Sequence, residues 1–258
     1  MLTRLRLSIA ENIQIEKRGE LCSVIFKHIY ADLTSKKDLS EERANILQNE
    51  LISFASSEQE IAMLQDWLEG KDKALSGFEL DISRKWSIAR KVFTLNKLSK
   101  EEKKNVFDSI AKTDDSDKKV EEAHVFDAIT ANKECFEGIY QKFRSDDKSV
   151  PMSVKGLLVS GWRSKVHEEW LVKEYKERYF KDLLDLVKTL AYNHYEFFYR
   201  NVKPIDDDLQ GQVDSYWKVI KDLEGQNDES GELKVHAKGM KKIVDDLSRR
   251  MNNYKINS

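Results

Sequence analysis

The sequence predicts an all-α protein, a HEAT- or armadillo-like α-solenoid of about ten antiparallel helices in a single helical-repeat domain over residues 1–258. Three observations predict it. Helix breakers are scarce, with two prolines (Pro151 and Pro204) and ten glycines in 258 residues. Apolar residues recur at helical spacing through segments of roughly 12–18 residues, each followed by a short polar break. Lys, Glu, Leu, Ala and Asp, which favour helix, are abundant, and no segment reads as a convincing strand. No crisp repeat period is present, so the solenoid rests on the pattern of elements, with an irregular helical bundle as its rival.

The elements follow in order. Gly19 precedes the apolar-periodic run ELCSVIFKHIYADL. Ser40 is placed to cap SEERANILQNELISFA, and Ser57 to cap SEQEIAMLQDWLEG, which ends on Gly70. KDKALSGFEL reads as a loop or extended link. Ile82, Trp86, Ala89 and Phe93 then share one helix face. Ser99 and Glu102 form a capping box ahead of Val106, Phe107 and Ile110. TDDSDKK marks the next break and places acids at the start of the helix through EEAHVFDAITA. Asn132 opens a helix buried through Phe136, Ile139, Tyr140 and Phe143. RSDDKSVP is a loop, because the residue before Pro151 is biased away from helix. Lys165 to Lys203 contains neither proline nor glycine. A single helix of that length would run on the order of 55–60 Å, too long for a domain of this size, so a break is expected near Thr189 to Asn193. Two helices follow Pro204, about Asp206–Leu223 and Glu232–Asn252, parted by GQNDESG.

Charge sets the class of surface. Lys and Arg total 44 against 46 Asp and Glu, for a net charge of −2. That describes a mixed, solvated surface with no bulk preference for polyanions, so nucleic acid is disfavoured as a partner. The basic strip Lys234, Lys238, Lys241, Lys242, Arg249, Arg250 and Lys255 reads as a solvated helix face. Cys22 and Cys135 form no C-x-x-C pair, which predicts a reduced, cytoplasmic protein. The start MLTRLRLSIA faintly resembles a mitochondrial presequence, the weaker alternative. No run is long and apolar enough to span a membrane.

Catalytic motifs are sparse. VHEEWL, Val166–Leu171, carries half of the zinc motif H-E-x-x-H. The chemistry needs a second imidazole one turn on, and Leu171 stands there. The closest two of the five histidines are 27 residues apart in sequence, so no helix carries two imidazoles at i, i+3 or i+4. No phosphate-cradling glycine motif and no G-x-S-x-G occurs. Asp114–Asp115, Asp206–Asp208 and Asp245–Asp246 sit at helix edges and read as caps or solvated acids. His194 reads as a packing histidine. The aromatic residues from Trp162 to Tyr199 read as an inter-helix core, or as the lining of a groove. No catalytic residue and no metal ligand is assigned.

A family resemblance rests on longer stretches. SGWRSKVHEEWLVKEYKERYF followed by FFYRNVKP, LDISRKWSIARKVFTLNKLS, AKTDDSDKKVEEAHVFDAITANKECFEGIYQKF and LISFASSEQEIAMLQDWLEGKDKAL together resemble the C-terminal domain of the zinc aminopeptidases of the aminopeptidase N and puromycin-sensitive aminopeptidase family. The likeness runs from about Leu51 to Pro204. It implies a HEAT-like bowl that closes over a catalytic domain lying before it in the chain. Such a domain shuts the substrate chamber and contributes peptide binding and open–closed gating. The sequence departs from the whole enzyme: it has no H-E-x-x-H, no downstream glutamate ligand and no G-x-M-E-N motif. The resemblance therefore implies a non-catalytic portion or a stand-alone relative without cofactor, zinc being held by a separate catalytic domain. That catalytic domain, in cis or in trans, and peptide are the expected partners. Arg84, Arg163 and Lys165, cations beside expected helix ends, are the candidates to meet a peptide carboxylate. The alternative expectation is a helical-repeat scaffold subunit of a larger assembly, without peptidase activity.

Overall fold

A computed structural model describes residues 9, 13, 15–35, 39–147, 149–203, 208–226, 228 and 231–256, with only the backbone described at Ile15, Glu16, Lys165, Lys255 and Ile256. The fold is all-α. Twelve helices of ten or more residues and no strand occur among the described residues. They are α1 (Ile15–Ser35), α2 (Glu41–Phe54), α3 (Glu58–Leu68), α4 (Ile82–Val92), α5 (Lys100–Ala111), α6 (Lys118–Ile129), α7 (Lys133–Phe143), α8 (Met152–Trp162), α9 (Lys176–Leu186), α10 (Tyr192–Asn201), α11 (Leu209–Glu224) and α12 (Glu232–Ile256). Most pack on a sequence neighbour across a short connection, as in solenoid-like folds: α1 on α2, α4 on α5, α7 on α8 and α11 on α12. The chain groups into two compact units, Met1–Glu122 and Ala123–Ser258. The presequence-like start MLTRLRLSIA apart from Ile9, and Pro204, Asp206 and Asp207, lie outside the described residues.

The expected caps form. Ser40 accepts from the Arg43 N–H and Asn132 from the Cys135 N–H. Ser57 with Glu60 and Ser99 with Glu102 are reciprocal capping boxes. Each satisfies helix-end donors that water would otherwise have to meet, a contribution of about 1 kcal/mol per cap. Gly70 follows α3 with φ 71°, left-handed backbone that a side chain would resist. Its neighbouring loop folds back on the helix, and Trp67 Nε1 donates to the Phe78 carbonyl at 3.3 Å.

Two features differ from the sequence reading or were not legible in it. α1 begins at Ile15, so Gly19 lies within the helix instead of ahead of it; the apolar face from Cys22 onward packs strongly enough to carry a glycine in the first turns. The expected break near Thr189 is present, between Leu186 and Tyr192. Ahead of α9, however, a 3-10 turn (Lys165–His167) and a short α turn (Glu168–Trp170) pass into a π-helical turn, Leu171–Tyr175. The buried residues Leu171, Tyr175, Tyr179 and Leu183 recur every four positions. Each step of four overshoots an α-turn by about 40°, and a wider π turn takes up that drift so that all four face inward.

In the first unit α1–α4 close over Phe26, Leu51, Phe54, Leu64 and Val92, all at most 1% exposed. Trp86 is fully buried, its ring 5.1 Å from Phe107 and its Nε1 donating to Asp114 Oδ2 at 2.7 Å. Asp114 thus anchors the core as well as the turn at Ser116. In the second unit α8 meets α6 at Gly161. A Cβ there would lie 2.7 Å from both Ala128 Cβ and the Val125 carbonyl oxygen. Two of the three obstructing atoms are backbone, which yields only if the helices separate. Gly161→Ala is expected to destabilise the protein by about 1–3 kcal/mol through overpacking, read as a lower midpoint in urea unfolding followed by circular dichroism.

Candidate functional site

The most chemically furnished cleft lies between α7 and the π turn leading into α9. It has a volume of about 490 Å³ and is lined by Lys133, Glu134, Glu137, Glu174, Tyr175 and Arg178. Asn132 caps α7 and fixes where its exposed face begins. That face presents Glu137. The π turn sets the phase of the opposite wall, bringing Tyr175 and Arg178 to one carboxylate. Arg178 grips Glu137 with both terminal nitrogens, at 2.7 and 2.8 Å. Tyr175 donates its hydroxyl to Glu137 Oε2 at 2.6 Å. The guanidinium lies 4.8 Å above the Tyr140 ring, which adds a cation–π contact. At the rim Lys133 pairs with Glu174 at 2.8 Å.

The charge states follow from this packing. The Arg178 guanidinium, with Tyr175 and Gln141 adding, holds the Glu137 carboxyl down to about 2, against burial acting the other way. Burial pushes the Tyr140 and Tyr175 phenols up, and the neighbouring carboxylates push further. Glu137 therefore stays ionised and the phenols stay protonated across ordinary pH. The cleft can offer charge of both signs and one tyrosine side chain to a ligand. None of these groups is poised to exchange a proton near neutrality.

A pH dependence follows. A folded-state pKa lowered from 4.5 to about 2 means the Glu137 contribution is complete above pH 4.5 and is lost as pH falls through about 2. Both side chains are over a third exposed, so solvent screening keeps the effect modest. Glu137→Gln is expected to lower the urea midpoint above pH 4.5, and the gap between wild type and variant is expected to close as the pH approaches about 2.

Arg84 is held by its own unit. It donates from Nε to Asn49 and from Nη2 to Asn45, both at 2.9 Å, and pairs with Asp81 at 3.0 Å. It ties α4 to α2 and lines a cleft of about 380 Å³. Arg163 caps the end of α8, half-buried, with its Nε shielded from water and hydrogen-bonded to nothing. Lys165 lies in the 3-10 turn, and its side chain is outside the described residues. Arg84 belongs to the first unit and Arg163 and Lys165 to the second.

His167 of VHEEWL is a core residue. It is 3% exposed, its Nε2 lies 2.8 Å from the Ala128 carbonyl oxygen, and its ring stacks on Trp170. Among the described residues no group of three or more His, Cys, Asp or Glu is placed to hold a metal ion. No described helix is long and apolar enough to cross a membrane. Most of the aromatic run from Trp162 onward is core: Trp162, Tyr175, Tyr179, Tyr195, Phe198 and Tyr199 are buried together. Asp208 caps α11 and pairs with Lys176 at 2.8 Å. His194 bridges instead of simply packing, its Nδ1 2.9 Å from Asp146. Sequence reasoning missed Glu137 and Arg178, which lie 41 residues apart with no local motif joining them.

No family model matches the chain, and no curated protein does.

Proposed function

We propose that the chain is a non-catalytic helical domain of the zinc aminopeptidase type, forming part of the wall and lid of a peptide chamber whose zinc is held by a separate catalytic domain. The observation that carries the reading is the ordered set of family-like helices around Trp86 and Trp162. Its support from the fold is that both tryptophans are buried, at 0% and 1% exposure. The mixed-charge cleft at Glu137 and Arg178, with Tyr175 in its lining, supports contact with peptides, which carry both charges and amide groups. Arg84 serves this reading as a clamp that holds the wall's shape, and Arg163 as a cation with donors to spare.

The test has two arms. The purified chain with added zinc is expected to give no hydrolysis of aminoacyl anilides, and robust turnover abolished by chelation would refute the reading. A zinc aminopeptidase catalytic domain lacking its own helical portion is expected to bind the immobilised chain saturably.

A second reading, a scaffold subunit without peptidase connection, is favoured by exposed apolar side chains on the first helices. Leu21 and Val24, one turn apart on α1, are 41% and 53% exposed, and Ile46 on α2 is 50% exposed. Such side chains suit a protein partner. Substituting all three with serine would release a scaffold from its complex and leave binding to a catalytic domain unchanged.

A further inference from the structure

Three cations of the second unit sit at the ends of helices that pack together, and among the described residues no acid is bonded to any of them. Arg163 ends α8, Lys203 lies just past the end of α10, and Arg250 sits in the last turns of α12. α10 packs against both α8 and α12, which gathers these positions. All three residues are half-buried. The Nε atoms of Arg163 and Arg250 are shielded from water and have no hydrogen-bond partner. Arg250 Nη2 donates to the Tyr254 hydroxyl at 3.2 Å. Burial pushes the Lys203 ammonium down, and the charges of Arg163 and Arg250 push it further.

The surroundings do not balance this charge. Tyr179 and Tyr216 are near Arg163, but their hydroxyls bond each other at 2.8 Å, and Tyr179 donates to the Tyr199 carbonyl. Helix C-terminal ends carry partial negative charge and favour cations, yet no carbonyl accepts from either Nε. Among the described residues Asp246 is the carboxylate acting on Lys203, and it is paired with Arg249. Among the described residues the three cations therefore face a single carboxylate that is already engaged by Arg249, and a positive excess remains. Holding like charges close in a partly desolvated place is costly unless something supplies the opposite charge.

We propose that Arg163, Lys203 and Arg250 form a binding site for a compact dianionic oxyanion of the phosphate class. Guanidinium groups match the spacing of oxyanion oxygens, and the lysine adds a point charge. A positive excess spread over three side chains favours a dianion over a singly charged carboxylate. The site shares Arg163 with the peptidase reading but does not depend on it, and survives its failure.

The test titrates inorganic phosphate into the full chain at constant ionic strength, with sodium chloride as the balancing salt. Calorimetry is expected to give one saturable site, and the melting temperature to rise with phosphate and not with chloride. Arg163→Met and Lys203→Met are each expected to weaken binding by about tenfold or more, the loss of a charge-assisted hydrogen bond. Without phosphate both variants are expected to melt at or above the wild-type temperature, since each removes a like charge. Asp246→Asn raises the positive excess and is expected to tighten binding, which keeps the test decisive if a Met variant folds poorly. A second arm compares phosphoserine amide: tighter binding than inorganic phosphate identifies a phosphorylated partner, and weaker binding identifies the free ion. Absence of saturable phosphate binding, or binding unchanged in Lys203→Met and Asp246→Asn, overturns the proposal.

Discussion

Trp162→Ala is expected to cost about 3–5 kcal/mol, a large part of the total stability of a domain this size. The indole is 1% exposed. It stacks on Phe136 at 4.9 Å and on Tyr140 at 5.7 Å, and meets Phe143 and Tyr175 edge-on at 5.5 and 5.7 Å. Four rings from α7 and the π turn therefore lose their common neighbour at once. The gap cannot collapse easily, because Gly161 already holds α8 against the α6 backbone. Trp162→Phe is expected to be far milder. It keeps a stacking ring and removes an indole N–H that has no hydrogen-bond partner, so part of the lost packing is offset. Urea unfolding followed by far-ultraviolet circular dichroism distinguishes the two, with the alanine variant alone showing a large drop in midpoint.

Asp182→Ala is expected to cost a similar about 3–5 kcal/mol, by a different mechanism. Asp182 is 3% exposed and accepts from the Tyr140 hydroxyl at 2.7 Å. Arg144 Nε lies 2.8 Å from the same carboxylate, but off the N–H axis, so this contact is an ion pair and not an aligned hydrogen bond. Truncation strands a phenol and a guanidinium where water reaches poorly. The penalty comes from the groups left behind, so removing one of them as well should help. Asp182→Ala with Tyr140→Phe is expected to be less destabilised than the sum of the two single variants. Additive losses in a double-mutant cycle would show that the hydroxyl and carboxylate are not coupled.

The local features were legible from sequence because they depend on short-range chemistry. Ser40, Ser57, Ser99 and Asn132 cap where their spacing to the next apolar run places them, since a cap needs only its own turn. Trp86 is buried as periodicity on its helix face requires, and Trp162 as the inter-helix core reading of the aromatic run has it. The π turn was not legible, because it arises from a four-residue repeat of bulky side chains with no proline or glycine to mark it. The cleft was less legible still. Glu137 meets Arg178 across 41 residues, and Arg163, Lys203 and Arg250 converge from three helices. Arg84 and Arg163 look alike in sequence, each a cation near a helix end. Only packing separates them, since Asn45 and Asn49 supply Arg84 with acceptors and nothing supplies the Nε of Arg163.

The most direct measurement adds the purified chain to a zinc aminopeptidase catalytic domain stripped of its helical portion and follows hydrolysis of a short anilide and of a long peptide side by side. A wall that encloses the chamber changes the ratio of the two rates in a dose-dependent, saturable way, and the effect weakens with Glu137→Gln in the cleft. An unchanged ratio at every dose, in the presence of demonstrably folded chain, would contradict the chamber-wall role.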